Sequence, residues 1–288
     1  MGAYELAVNN FAVAENLLQL YELFSNLREG PVTEDLRLAV CRLWDVPPNA
    51  ALRNAYNEQM VMLAHANAPI PQALLIENGA DFLLRQAVVV ACTAVESFFW
   101  DSLRENALTI VRARRRGADE TLRGITLTLD DYLSLENYAE PDKRLEQIIL
   151  KNFERKTLYS TESIDNIAKI LTVNNFWEDI SKKCGQSIND IRRNLDEIIQ
   201  RRNHIAHRAD RPETETGLDE RIDGHGLRKI TFPWVNTRVA TAKSVVIAAN
   251  KCFKAAIGKL KKDLEMQEKQ AAEQELAKAT IKGRKIGQ

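Results

Sequence analysis

The sequence is poor in proline and glycine. Its 288 residues include eight prolines and twelve glycines, and the spans 72–140, 142–211 and 234–288 contain no proline. Because proline and glycine interrupt helices and mark the turns between short strands, their scarcity argues against an architecture of many short strands. The composition predicts a mostly α-helical protein.

Cysteine and histidine are also scarce, with four residues of each type. The cysteines stand at positions 41, 92, 184 and 252, so no two form a CxxC pair, and the histidines form no HExxH pattern. This spacing argues against disulfides and against a structural zinc site, and it is typical of isolated thiols in a reducing compartment. We expect neither a metal nor a cofactor.

An excess of charge of one sign is missing too, because forty Lys and Arg residues balance forty Asp and Glu residues. A chain without net charge lacks a global basic field, so any contact with nucleic acid must come from a local cleft. Hydrophobic residues make up 45% of the chain. That share excludes global disorder.

Long apolar runs and a leader-like start are absent from the sequence. The longest apolar stretch, AVVVACTAV at 87–95, is too short to cross a bilayer. The first residues, MGAYELAVNN, contain no cationic segment followed by an apolar one. Leu6 stands where a myristoylation signal needs Ser or Thr. We expect a cytoplasmic protein that does not bind membranes.

Apolar residues at helical spacing, punctuated by prolines, predict a helical extension over residues 1–80. Its three expected helices span about 3–28, 33–44 and 49–67. No residue in this extension suggests a particular chemistry.

A long helix is expected next, at about 74–116. Its middle is apolar on more than one side, as in a central helix that is buried on several faces. Shorter helices are expected between 125 and 180, and Thr128 with Asp131 forms a candidate capping box for one of them.

The clearest helix begins after Ser187, which forms a capping-box-like pair with Asp190. Its sequence is SINDIRRNLDEIIQRRNHIAHR, with an apolar stripe of isoleucines and one leucine. A last helix at about 235–275 is expected to fray into a charged, partly disordered tail at 259–288.

The segment RRNHIAHR at 201–208 carries the chemistry. It places three Arg, two His and one Asn at the end of an amphipathic helix. Asn203 and His207 are four residues apart and share a face. Arg202 lies about 140° from His207 around the helix axis, but its long side chain can reach a common cleft, most readily beside a facing partner helix.

An Arg, a polar residue, three further residues and a His late in a helix form the signature of HEPN domains. At Arg202, Asn203 and His207 this chain resembles that family, and IIQRRNHIAHR is similar to its RiboL-PSP-HEPN-like subgroup. The stretch AVVVACTAVESFFWDSL resembles the first long helix of the family. The resemblance covers 81–258 and implies an all-α HEPN-like bundle of four to five helices.

The resemblance also implies a homodimer, in which the motif helices of two subunits meet and form one composite cleft. Members with an intact motif are usually metal-independent endoribonucleases that leave 2′,3′-cyclic phosphate and 5′-OH ends. Imidazole titrates near neutral pH and guanidinium stays charged, so His207 is the expected general acid/base and Arg202 the expected phosphate clamp. Asn203 would orient His207 or a phosphate oxygen.

Blander roles remain open for these residues and their neighbours. Arg202 and His207 could cap a surface helix, and Asn203 could simply end it. Four further residues are tentative RNA contacts: Arg201, His204, Arg208 and Glu96. For the two arginines, ordinary solvated cations are the alternative. His204 could line the cleft without a catalytic role, and Glu96 could pair with an arginine of the motif helix, because an unpaired carboxylate in an apolar helix is costly.

Two function classes follow from the resemblance. The first is an RNA-cleaving toxin or antiviral effector of abortive infection, restrained by an antitoxin or a regulatory protein. The second is a catalytically inactive HEPN module that binds RNA, a nucleotide or a protein partner. A purely structural helical protein is the third reading.

Overall fold

The computed structural model describes residues 2–65, 67, 70–71, 74–113, 128–136, 139–153, 160–212, 222–223 and 226–286. Within these ranges the chain is mostly helical with one small sheet, which confirms the predicted fold class. The helices are α1 (Ala3–Phe24), α2 (Glu34–Trp44), α3 (Asp81–Ala113), α4 (Leu129–Glu136), α5 (Pro141–Phe153), α6 (Thr161–Ile170), α7 (Phe176–Cys184), α8 (Ile188–Arg208) and α9 (Phe232–Ile286).

The predicted third helix at 49–67 is wrong, because this segment forms a β-hairpin. Strands β1 (Arg28–Gly30), β2 (Leu52–Tyr56) and β3 (Val61–His65) form an antiparallel sheet in that order. Gly30, expected beside Pro31 at the end of the first helix, instead ends β1. A Cβ there would collide with the ring of Tyr56, to which β1 brings the backbone close.

Asn57 makes the turn of this hairpin. Its side-chain oxygen accepts hydrogen bonds from the backbone N–H groups of Gln59 at 2.9 Å and Met60 at 2.8 Å. A side chain that satisfies backbone donors two and three residues later competes with helix formation and favours a turn. Beneath the sheet, Ala55 is fully buried in a small apolar cluster with Ile70 and other side chains, so the hairpin has its own core.

The chain divides into two compact units. One, here called the aromatic unit, comprises Met1–Ala7, Val95–Asp196 and Lys243–Gln288. The other, here called the motif unit, comprises Val8–Ala94 and Glu197–Ala242.

Four phenylalanines form the centre of the aromatic unit. Phe253 stacks on Phe98 and on Phe176, each at 5.9 Å between ring centroids, and Phe99 meets its ring edge-on at 5.8 Å. All four side chains are buried. Phe98 and Phe99 therefore belong to the core, as their place in an apolar helix predicts, and do not form an exposed platform for stacking bases.

α3 begins at Asp81, seven residues later than predicted, because turns occupy most of the preceding segment. By length and composition it could cross a membrane, but over half of its most apolar window is buried inside the protein. The core helix of a folded domain has the same properties. Of the basic run at 112–116, Arg112 lies in the last turn of α3, and positions 114–116 lie outside the described residues.

Both predicted helix starts are present. The backbone N–H of Asp131 donates to Thr128 Oγ1 at 3.1 Å, and the N–H of Thr128 donates back to the Asp131 carboxylate at 3.2 Å. This reciprocal pair is the predicted capping box, and it opens α4. At α8, the N–H of Asp190 donates to Ser187 Oγ at 3.1 Å.

The last helix differs from its prediction at the C-terminal end. α9 continues to Ile286, where a helix to about 275 and a partly disordered tail at 259–288 were expected. The tail is rich in Ala, Glu, Lys and Gln, which have high intrinsic helix propensity, so it favours helix even with few apolar anchors. The predicted domain boundaries at 80 and 258 stay predictions.

Candidate active site

The candidate site lies at the C-terminal end of α8. The apolar stripe of this helix is buried as predicted, at Ile191, Leu195, Ile198 and Ile199. These side chains fix the rotation of the helix about its axis, so the polar face of its last turns is fixed as well.

The three motif residues differ in exposure. Arg202 and Asn203 are half-buried, whereas His207 is exposed in the last turn of α8. The side-chain oxygen of Asn203 is buried, yet no described residue donates a hydrogen bond to it. A buried acceptor without a donor costs about 1–3 kcal/mol, so this oxygen is a strong candidate to accept a donor from another molecule.

Arg201 belongs to a buried ionic network and is not a solvated cation. Its Nη2 donates to the carboxylate of Asp210 at 2.8 Å and to the carbonyl oxygens of Arg228 at 2.8 Å and Lys229 at 3.3 Å. Burial lowers the pKa of the Arg201 guanidinium, and the Asp210 carboxylate opposes that shift. The role of Arg201 in RNA binding stays a prediction, but its guanidinium is already held by the protein.

Arg85 of α3 completes this network. Its Nε donates to Asp210 at 2.8 Å, and its Nη2 donates to Asp223 at 2.7 Å and to the Arg228 carbonyl at 3.0 Å. Both carboxylates are almost fully buried. Two arginines and two aspartates thus balance one another where an unpaired charge would be strongly destabilising.

Asp210 also closes the end of α8. Its backbone N–H donates to the carbonyl of His204 at 3.0 Å, and both Ala209 and Asp210 have positive φ, at 49° and 60°. This left-handed conformation after a helix is usually adopted by glycine, and it is costly for other residues. The ionic network compensates for that cost and holds the helix end that carries His207.

A polar cavity of about 390 Å³ lies beside this helix end. Here called the basic cavity, it is lined on one side by Glu197, Gln200, Arg201 and His204 of α8. Its other lining residues are Arg228, Trp234 and Arg238. His204 was expected to line a cleft, and here it does so.

Arg208 and Glu96, the other tentative RNA contacts, lie apart from the basic cavity in different ways. Arg208 is exposed in the last turn of α8. Glu96 is half-buried on the part of α3 that belongs to the aromatic unit. Their roles in RNA binding stay predictions.

Sequence reasoning missed most of the residues that support the site. Arg85 carried one usable signal, because a lone cation in the apolar stretch of α3 requires a buried partner. Asp210, Asp223, Arg228 and Arg238 carried no local signal, since each acts through residues distant in sequence. Among the described residues, no group of three or more His, Cys, Asp or Glu side chains is arranged to hold a metal ion.

Comparison with known proteins gives one match. A family model described as RiboL-PSP-HEPN matches residues 58–225, which is more than half of the chain and includes the motif at 202–207. No curated protein and no solved structure matches the chain significantly.

Proposed function

The chain belongs to the RiboL-PSP-HEPN family, and from this premise we propose that it is a metal-independent endoribonuclease. Arg202, Asn203 and His207 are the proposed reactive residues. One observation carries the proposal: the intact motif lies on the last turns of α8, with His207 exposed. A histidine that serves RNA must be open to it, whereas a core histidine would be buried.

The proposed reaction is a transesterification within the RNA. The ribose 2′-oxygen attacks the adjacent phosphorus, a new P–O2′ bond forms and the P–O5′ bond breaks. A base takes the proton of the 2′-OH and an acid gives a proton to the departing 5′-oxygen, which leaves a 2′,3′-cyclic phosphate and a 5′-OH end. Imidazole performs both transfers near neutral pH, and this is the role proposed for His207.

Arg202 and Asn203 would supply the other two requirements. Negative charge grows on the phosphoryl oxygens in the transition state, and a guanidinium offers a permanent charge with a planar fork of donors. The amide of Asn203 would orient His207 or a phosphate oxygen. Its buried oxygen, with no donor among the described residues, supports a part for Asn203 in binding another molecule.

We further propose that two copies of the chain build each cleft. Arg202 and His207 are separated by about 140° around α8 and by about 7.5 Å along it, so a single helix presents them on different sides. If the motif helices of two subunits meet, Arg202 of one and His207 of the other can face the same phosphate. The partner subunit would also offer a donor to Asn203.

The proposed cellular role is that of a cytoplasmic toxin or antiviral effector. A nuclease whose site is complete without a metal or cofactor has no built-in restraint, so we infer that an antitoxin or another regulatory protein controls it. The alternative is an inactive module that binds RNA or a protein partner. The divergence of Arg202 and His207 within one chain favours that alternative if the chain does not dimerise.

The test is cleavage of total cellular RNA by the purified protein in EDTA. His207→Ala should lower the cleavage rate by about 10²–10⁴-fold. His65→Ala is the matched control, because His65 is an exposed histidine on β3. The wild type should leave cyclic phosphate and 5′-OH ends, which chemical analysis of the products identifies.

Three results would count against the proposal. Equal cleavage by His207→Ala and wild type would remove His207 from the mechanism. Loss of activity in EDTA would indicate a metal-dependent reaction. RNA binding without cleavage by the wild type would favour the inactive module.

A further inference from the structure

The basic cavity lies on the same face of α8 as His207. Gln200, His204 and His207 follow one another at spacings of four and three residues, so they form one stripe along the helix. His204 lies about 4.5 Å from His207 along the helix axis and Gln200 about 10.5 Å, at 1.5 Å per residue. A strand bound at His207 can therefore continue over the basic cavity.

The lining of the basic cavity is cationic. Its three guanidinium groups, from Arg201, Arg228 and Arg238, face one carboxylate, that of Glu197. Such a lining favours an anionic ligand and disfavours a metal cation. Guanidinium groups match the geometry of phosphate oxygens, to which they donate two parallel hydrogen bonds.

The cations are held in place before any ligand arrives. The Arg238 guanidinium lies over the ring of Trp234 at 4.2 Å from the centroid, and its Nε donates to Glu197 at 2.8 Å. Arg201 lies 6.0 Å from the same ring and is fixed by Asp210. Donors that are already oriented lose less conformational entropy on binding.

Arg228 fixes the tautomer of His204. Its Nη1 contacts the ring Nδ1, and because a guanidinium can only donate, Nδ1 must accept. The ring proton is then on Nε2, where it can be donated to a ligand. His204 and Arg228 thus form one donor unit on the wall of the basic cavity.

From this arrangement we propose that the basic cavity binds a phosphate of the RNA strand next to the one that is cleaved. The inference rests on the proposed function for its choice of ligand. A stacked base fits less well, because two guanidinium groups already lie near the Trp234 ring, one of them directly over it. Arg228, Arg238 and His204 are the proposed phosphate contacts, and Trp234 positions Arg238.

Glu197 provides the sharpest test, because it is the only carboxylate among the described residues that line the basic cavity. It competes with the phosphate for Arg238. Glu197→Gln should therefore tighten RNA binding, whereas a purely structural role of the pair predicts unchanged or weaker binding. Binding is measured in the His207→Ala background with a fluorescently labelled oligoribonucleotide, so that no cleavage is needed for the readout.

Arg228→Gln and Arg238→Gln should act in the opposite direction. Each loses a charged contact, so each should weaken binding about tenfold. The slope of log affinity against log salt should fall by about 0.7 for each lost phosphate contact to a single strand. Arg193→Gln, which removes an exposed charge near the other end of α8, should change neither quantity.

Folding and ligand source have their own controls. Arg228→Lys, which keeps the charge, should restore part of the affinity, and thermal unfolding should show that each variant is folded. Inorganic phosphate and a mononucleotide are tested as competitors. Competition by either as effective as that of the oligoribonucleotide would overturn the assignment to a strand.

The outcomes separate this inference from the proposed function. Cleavage by the wild type with unchanged binding in Arg228→Gln and Arg238→Gln would overturn the phosphate site and leave the nuclease intact. No cleavage by the wild type, with weaker binding in both variants and tighter binding in Glu197→Gln, would support the site and reject the nuclease.

Discussion

The carboxylate of Asp210 accepts a hydrogen bond from Arg85 at 2.8 Å, although 125 residues separate the two in the sequence. The same carboxylate accepts a hydrogen bond from Arg201, one residue before the motif. Because Asp210 also caps the last turn of α8, this contact links the orientation of the motif helix to α3. The reactive face is thus supported by charges that take no direct part in the proposed chemistry.

Removal of Asp210 should destabilise the protein strongly. Asp210→Ala leaves Arg85 and Arg201 buried without their shared partner, and breaking such a pair costs about 3–5 kcal/mol in the free energy of unfolding. Lys143→Ala is the control, since it breaks an exposed pair with Glu140 and should cost less than about 1 kcal/mol. Denaturant unfolding measures both values, and equal values would show that the network does not stabilise the fold.

Local signals predicted the motif helix well. Ser187 marked its start, the apolar stripe marked its buried face, and the spacing of Asn203 and His207 marked their shared surface. All of these depend on residues within a few turns of one another. Long-range pairs leave no such pattern, so the partners of Arg201 could not be found from the sequence.

The hairpin at 52–65 escaped prediction for a different reason. Its sequence, LRNAYNEQMVMLAH, contains several good helix formers and lacks a strong glycine turn. Strand pairing and burial of Ala55 outweigh that local preference, and Asn57 makes the turn with its side chain. Tertiary contacts here decide between two local structures of similar propensity.

The capping box of α4 should make stability depend on acid pH. Hydrogen bonds from the side chain and backbone of Thr128 lower the pKa of the Asp131 carboxyl below its usual value of 3.8. A lowered pKa means that the stabilisation is complete above the unfolded-state pKa and is lost as the pH falls through the folded-state pKa. The stability difference between wild type and Asp131→Asn should therefore disappear in acid.

NMR titration of the Asp131 carboxyl gives a direct check of this cause. In Thr128→Val the side-chain donor is removed, so the pKa of Asp131 should rise toward its usual value. An unchanged pKa in that variant would mean that another group is responsible for the shift.

The phenylalanine cluster should be the most sensitive part of the aromatic unit. Phe98→Ala removes a side chain that is only 1% exposed and stacked on Phe253, so it should cost about 3–5 kcal/mol in unfolding free energy. Phe82→Ala, on the same helix but 51% exposed, should cost about 0.5 kcal/mol or less. Thermal and denaturant unfolding of the two variants should separate them clearly, and similar costs would contradict a core role for the cluster.

Mixing of inactive variants tests whether two chains share one cleft. Arg202→Ala and His207→Ala should each be inactive alone. In a mixed dimer, the first chain contributes an intact His207 and the second an intact Arg202, so one of the two composite clefts is complete. We expect unfolding and refolding of the mixture to restore cleavage that neither variant has.

The design excludes trivial explanations. Refolding each variant alone controls for gains from the procedure, and the double variant Arg202→Ala/His207→Ala mixed with either single variant should remain inactive. If both residues act within one chain, every subunit in the mixture lacks one of them and no activity returns. Recovery in the mixture would therefore place Arg202 and His207 of different subunits in one cleft, which is the arrangement that their separation around α8 favours.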